Sequence, residues 1–367
     1  MEANLAIMRS IFQSIRTIAF LSQFRTMPSE NLSCHPALLE NSERKYECLF
    51  IYEKSFMCNE RCFRKVLSES LQSNAPIRAG MQRSLRVAIL RSLTNSGSLF
   101  RAQLAYGAMV AVGFSTELAK KFACAIEYFH IASLLLDDLP CMDDSRERRG
   151  RICLHLLHGE PTAILGSLAL ITRAYALFGE VSTRIPTRRQ TEACRLLERC
   201  LGSGGIVNGQ AEDLAYRTGG RREVLRIALG KTVPLIRLAL GFPSLAANLP
   251  ARQRLLLHRI SVYWGLLYQG IDDIHDASEP VSLVLLAEGR DAHLCRPNLL
   301  LAVGRERTVA SLLRLSALAR RAVNLLAGDR RFGFLKPVQQ AISERLASSL
   351  LKVREINWHG FSQAHLS

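Results

Sequence analysis

From about residue 77 to about residue 355, apolar side chains recur at helical spacing almost without interruption, and this regularity leaves little choice of fold. Between Thr116 and Leu136 the stripe is Leu118, Phe122, Ala123, Ala125, Ile126, Phe129, Ile131 and Leu134. Comparable stripes run from Ala163 to Phe178, Val224 to Leu240, Leu255 to Ile271 and Thr308 to Leu326, separated by Gly and Pro breaks such as Gly219-Gly220 and Pro243. Strand-like alternation bounded by hairpin turns is missing, and no fixed-period repeat appears. The reading is all-α: one helical domain over 76–367, preceded by a partly disordered extension over 1–75 that lacks periodicity and carries Pro28 and Pro36.

Composition agrees with a large buried core: 48% of the 367 residues are hydrophobic and 22% charged. The formal net charge of +16 suits nucleic acid, an anionic surface or a phosphorylated substrate. The basic residues are scattered in pairs, such as Arg188-Arg189 and Arg320-Arg321, with no aromatic-studded basic stripe, so nucleic acid is not the expected partner. The ten cysteines follow no secreted disulfide pattern. Cys58 and Cys62 sit one helical turn apart with no second pair at zinc spacing. A reducing, cytoplasmic compartment is expected. No uninterrupted apolar run approaches the ~20 residues that span a bilayer. The stretch Met1–Met27, with Arg9, Arg16, Arg25, several serines and only Glu2 as an acid, has the composition of an organelle transit segment as well as that of a frayed terminus.

Two acidic clusters carry the chemistry. Asp137-Asp138 and Asp143-Asp144 close the first long apolar stripe; Asp272-Asp273 and Asp276 close another. Carboxylates gathered at the end of a buried helix repel one another and lose hydration unless cations compensate. Asp272 and Asp276 are spaced i, i+4 and share a helix face. In the first cluster Pro140 removes a backbone donor, which lets Asp143 turn back toward Asp137. Many oxygens without flanking His or Cys make a hard site suited to Mg²⁺, with a diphosphate completing the shell. Arg146, Arg148, Arg149 and the later Lys231-Thr232 supply the donors that hold such an anion.

The run AIEYFHIASLLLDDLPCMDDSRERRG resembles the first aspartate-rich region of trans-isoprenyl diphosphate synthases, in particular the geranylgeranyl and bacterial farnesyl branches. GIVNGQAEDL at 205–214, KTVPL at 231–235 and YQGIDDIHD at 268–276 are similar to the later blocks of that family, in the same order. The resemblance implies a bundle of roughly ten or more helices around a central cavity, a homodimer and a Mg²⁺-dependent condensation of an allylic diphosphate with isopentenyl diphosphate. Asp137, Asp138, Asp143, Asp272, Asp273 and Asp276 match its metal-binding positions. Arg148, Lys231 and Gln269 match those that hold the allylic diphosphate, with Thr232 beside them, while His130 and Arg149 match those that hold the acceptor. Gln210 and Asp213 match the block beside the reaction cavity. Asp137, Asp138, Lys231, Asp272 and Asp273 are the expected catalytic set.

Three segments depart from the pattern. The family's Gly-Gly-Lys-Arg-Leu-Arg-Pro-like segment reads Ser96-Gly97-Ser98-Leu99-Phe100-Arg101-Ala102 here, so Ser98 and Leu99 stand where Lys and Arg would grip isopentenyl diphosphate. Gly166-Ser167 replaces a Gly-Asp pair, and Gly289-Arg290-Asp291, followed by Arg296, replaces a Lys-containing segment. The metal and allylic halves are intact and the acceptor half is altered. A chain-elongating enzyme with a rearranged acceptor site, a class I terpene synthase that needs no acceptor, and a non-catalytic partner subunit are the three readings this allows. Small residues at Ser133 and Ala132, four and five places before the first acidic motif, imply a product of farnesyl length or longer.

Overall fold

The computed structural model describes residues 60–94, 97–278 and 296–355. Ser96, the 289–291 segment, Cys58 and the N-terminal stretch through residue 59 lie outside the described residues. The helices are α1 (Glu60–Ser73), α2 (Arg83–Thr94), α3 (Phe100–Ala111), α4 (Thr116–Asp137), α5 (Leu154–His158), α6 (Glu160–Ser182) and α7 (Thr187–Leu201). They continue as α8 (Ile206–Ala215), α9 (Arg221–Lys231), α10 (Val233–Ala246), α11 (Ala251–Ser278), α12 (Leu299–Val303), α13 (Arg305–Leu326) and α14 (Leu335–Glu355). The all-α reading holds.

Helix α4 is the axis. Ser115 caps it by accepting from the Leu118 N–H, and Glu117 in the first turn suits the positive end of the helix dipole. Its residues Phe122, Ala123, Ala125, Ile126 and Ala132 are fully buried, packed between α3 and α6. Phe122 stacks on Phe242 of α10 at 4.8 Å and meets Phe178 of α6 edge-on at 5.8 Å. A second seam joins α11 to α10 and α13, and Trp264 of α11 ties it to α14, its indole N–H donating to Gln339 Oε1 at 2.7 Å.

Some local expectations change. Helix α1 falls before the 75/76 boundary read from the sequence, yet Leu67 and Leu71 are 1% exposed in the same core, and Tyr128 of α4 donates to the Leu71 carbonyl. Pro243 lies inside α10, in its last turn, rather than between helices; with no N–H it cannot donate to the Ala239 carbonyl one turn back. Helix α6 is long and apolar enough to cross a membrane by length and composition. One face, with Ala163, Leu170, Ala174, Leu177 and Phe178, is buried against the core. The other leaves Ile164, Leu165, Leu168 and Tyr175 exposed by 43–58%.

A two-residue hairpin also appears, pairing Glu147–Arg148 (β1) with Arg151–Ile152 (β2). Strands this short show no alternation, so pattern reading passes over them. Arg149 and Gly150 form its turn with φ of 56° and 71°, both left-handed as such a turn requires. Gly meets that demand without cost; Arg149 meets it under strain.

Candidate active site

Helix α4 ends at Asp137, and the chain folds back on itself as the proline predicts. The Asp143 N–H donates to the Asp137 carbonyl at 3.0 Å, and Asp144 sits in a left-handed conformation at φ 45°. Three carboxylates here, Asp138, Asp143 and Asp213, are each engaged by a cation from another element. Arg148 Nε donates to Asp138 at 2.5 Å, Arg296 Nη2 to Asp143 at 2.9 Å, and Lys231 Nζ to Asp213 of α8 at 2.8 Å. Burial pushes the Asp137 carboxyl up to about 6, with Asp143 and Asp213 adding to the rise while Lys231 and Arg148 oppose it. Burial alone would lower Lys231; Asp213, Asp137 and Asp143 together hold it above its ordinary value.

The crossing of α8 and α9 brings Asp213 to Lys231. Gly209 and Gly230 meet so closely that a Cβ on Gly209 would lie 2.2 Å from the Gly230 carbonyl carbon. Gly209→Ala must therefore part the two helices. We expect turnover to fall by about tenfold or more, since small misplacements of positioning groups are costly; steady-state kinetics beside a thermal melt checks this.

The second cluster is split. Asp273 is 1% exposed, and its carboxylate accepts from Gln269 Nε2 at 2.9 Å and from the Leu299 N–H at the start of α12 at 2.7 Å. Its carboxylate thereby ties α12 to α11. Asp272, its neighbour, points outward and accepts from Arg345 of α14 at 2.8 Å. Arg345 in turn lies 5.2 Å above the Tyr268 ring. Asp276 is half-buried one turn further on. Thr232 donates to Gln269 Oε1 at 2.6 Å, so Thr232, Gln269 and Asp273 form one chain of hydrogen bonds next to Lys231. Among the described residues, no three His, Cys, Asp or Glu side chains converge closely enough to hold one metal ion together.

A third group lies on the α3 side of α4. Arg101 Nη1 is 3.3 Å from His130 Nε2, and since Arg only donates, that ring nitrogen accepts. Burial first, then Arg101, Arg149 and Arg148, keep His130 well below the usual imidazole range, so the ring is neutral. Arg149 packs on Gly97, where a Cβ would fall 2.6 Å from its guanidinium carbon. The residue that the sequence reading missed is Glu127, 1% exposed and facing Arg101 and Arg149. Its signal was there: a lone acid in an apolar stripe, one turn before His130. Leu99 is 3% exposed with φ 55°, a core residue at the head of α3. Ser98 is exposed. Beside the hairpin, Ile131, Leu135, Asp138, Arg148 and Arg149 line a cavity of about 60 Å³, so room for a prenyl chain is not found there.

Several buried donors at these groups have no hydrogen-bond partner: Arg101 Nε, Gln210 Nε2 and Arg296 Nε, the last 3.9 Å from an Asp213 oxygen. Buried donors are seldom left unpaired, and three of them beside crowded carboxylates fit an anion carried with a hard cation.

Residues 82–311 match the polyprenyl synthetase family, and the chain belongs to that family of trans-prenyltransferases. It is 31% identical over 274 residues to geranylgeranyl pyrophosphate synthase 12 of Arabidopsis thaliana, covering 72% of this chain and 74% of that one. It is 36% identical over 156 residues to a geranylgeranyl diphosphate synthase of Pantoea ananas, covering 42% of this chain and 51% of that enzyme's length. The fold is shared with an FPP/GFPP synthase of Zymomonas mobilis, at a TM-score of 0.66, 22% identity and coverage of 77% and 98%. A Helicobacter pylori geranyltransferase, solved with magnesium and isoprenyl diphosphate, shares it at a TM-score of 0.65, 22% identity and coverage of 86% and 100%.

Proposed function

We propose that this chain condenses an allylic prenyl diphosphate with isopentenyl diphosphate in a Mg²⁺-dependent reaction, giving a trans-prenyl diphosphate of farnesyl or geranylgeranyl class. The observation that carries elongation is the convergence of Arg101, His130 and Arg149 on one side of α4, which leaves an acceptor site without the lysine and arginine replaced by Ser98 and Leu99. A reaction without an acceptor has no use for this second group of cations.

Asp137 and Asp143 are the carboxylates best placed to hold Mg²⁺, with Asp138, Asp272, Asp273 and Asp276 as the remaining candidates. The ion, when bound, stabilises the negative charge of the leaving diphosphate. Lys231, Arg148, Thr232, Gln210 and Gln269 orient the allylic diphosphate. The apolar faces of α4 and α11 keep water from the carbon left electron-poor as the C–O bond breaks and diphosphate departs, so the isopentenyl double bond attacks it instead, and the adduct then loses a proton to form the new double bond. The homodimer rests on the outward apolar residues of α6, a contiguous patch of the kind that marks an interface. Leu168→Glu is expected to give a monomer by light scattering. A cytoplasmic location rests on cysteine usage alone.

The deciding experiment incubates purified protein and Mg²⁺ with geranyl, farnesyl or geranylgeranyl diphosphate, with and without isopentenyl diphosphate, and identifies every product. Elongated product that disappears in EDTA supports the reading. A terpene released from the allylic substrate alone, with no isopentenyl units incorporated, sinks it.

A further inference from the structure

We propose that the outward face of α13 docks this protein on an anionic lipid surface. The helix carries five arginines and a single acid, Glu306. Its inner face, with Leu312, Ala319, Val323 and Leu326, is buried, and the helix packs on α11 and α14. Arg307, Arg314 and Arg321 recur every seven residues, so they stand in one row on the opposite side. All three are exposed, and the row is about 21 Å long at the usual helical rise. Leu318 and Leu325 follow the second and third arginines by four residues, on the same side, and are 36% and 53% exposed. Ala317, Arg320, Arg321, Asn324 and Leu325 line a shallow groove along this face.

Unbalanced charge sets the face apart. Elsewhere on the surface cations meet acids: Lys65 pairs with Glu69, Lys121 with Glu180, and Arg226 with Glu212. Among the described residues, Arg307, Arg314, Arg320 and Arg321 have no carboxylate within ion-pair distance. Like charges in a row repel one another and gain from a counter-surface of opposite sign. The leucines decide which surface. Nucleic acid is gripped by cations and by aromatic rings that stack on bases, and α13 contains no aromatic residue. A bilayer offers both chemistries that the face presents: headgroup phosphates for the arginines and, just beneath, acyl chains for the leucines. The long arginine stem keeps its guanidinium among the headgroups while the leucines sink deeper. On the reading proposed above, an amphiphilic product is then released beside the phase that dissolves it. Docking itself does not depend on that reading, and its test needs no catalysis.

The test uses the full chain with no substrate present. It is sedimented with vesicles of phosphatidylcholine, and with vesicles of equal parts phosphatidylcholine and phosphatidylserine. Wild type should pellet with the anionic vesicles alone and be released at about 1 M salt, where the screening length falls to about 3 Å. The triple variant Arg307→Gln, Arg314→Gln, Arg321→Gln should bind them about a hundredfold more weakly, at roughly fivefold per lost charge. Leu318→Ser with Leu325→Ser keeps every charge and should still weaken binding by about tenfold. No pelleting, equal pelleting with both vesicles, or a triple variant that binds as wild type does overturns the proposal. So does binding that ignores the two leucines, or a preference for a single-stranded RNA probe over the anionic vesicles. Should either variant unfold, phenylglyoxal labelling of wild type, read by mass spectrometry, still decides. Anionic vesicles should shield Arg307, Arg314 and Arg321 from the reagent, and unchanged labelling sinks the docking face.

Discussion

Asp137→Ala is expected to lower turnover by roughly a hundredfold or more while leaving the Tm unchanged or higher. The loss follows from the role proposed for this carboxylate, since a metal clamp on a developing charge contributes several kcal/mol to the transition state. The stability follows from its surroundings. Burial, with Asp143 and Asp213 nearby, raises the folded pKa to about 6 from an ordinary value of 3.8. A carboxyl raised in this way binds protons more tightly folded than unfolded, so stability declines as pH climbs through that window and stays lower above it. Removing the group at neutral pH removes a strained charge. A variant that melts well below wild type would show that Asp137 is structural, and a variant that turns over normally would remove it from the chemistry.

Ser98→Lys and Leu99→Arg should have opposite outcomes, although the family pattern places a basic residue at each. Ser98 is exposed beside Gly97, against which Arg149 packs. A lysine there can reach an anion held by Arg149, so the KM for isopentenyl diphosphate should drop by about tenfold, the equivalent of ~1.4 kcal/mol. Leu99 is 3% exposed in the core and occupies a left-handed conformation. Arginine at that position loses apolar burial and carries a charge into the packing, at a cost of about 3–5 kcal/mol. The expected Tm loss is about 10 °C or more. Kinetics on the first variant and a thermal melt on the second check the pair; a Leu99→Arg protein as stable as wild type would show that this side chain can swing outward.

The difference between those two positions shows where sequence reading stopped. Helix α4, the clusters that follow it and the return of Asp143 toward Asp137 were legible because periodicity, charge repulsion and one proline act over a few residues. The embedding of Leu99 was not, because burial depends on α3 packing against distant helices. Arg345 and Asp272 meet only through the α11–α14 contact, so neither predicts the other from its local context. Asp273 has the residue type of a ligand, and only the position of α12 reveals that its carboxylate holds a backbone N–H. Glu127 was visible as an anomaly in an apolar stripe, but the charges that act on it, Arg101 and Arg149, come from two other elements.

The hairpin at 147–152 has two residues per strand and no slack. Arg148 engages Asp138 of the first acidic cluster, while the adjacent Arg149 packs on Gly97 before α3. One turn thus carries two adjacent guanidiniums, one against each group of the site. Any change in acceptor affinity that an allylic ligand produces through this turn must be returned, by the same factor, when the acceptor binds first.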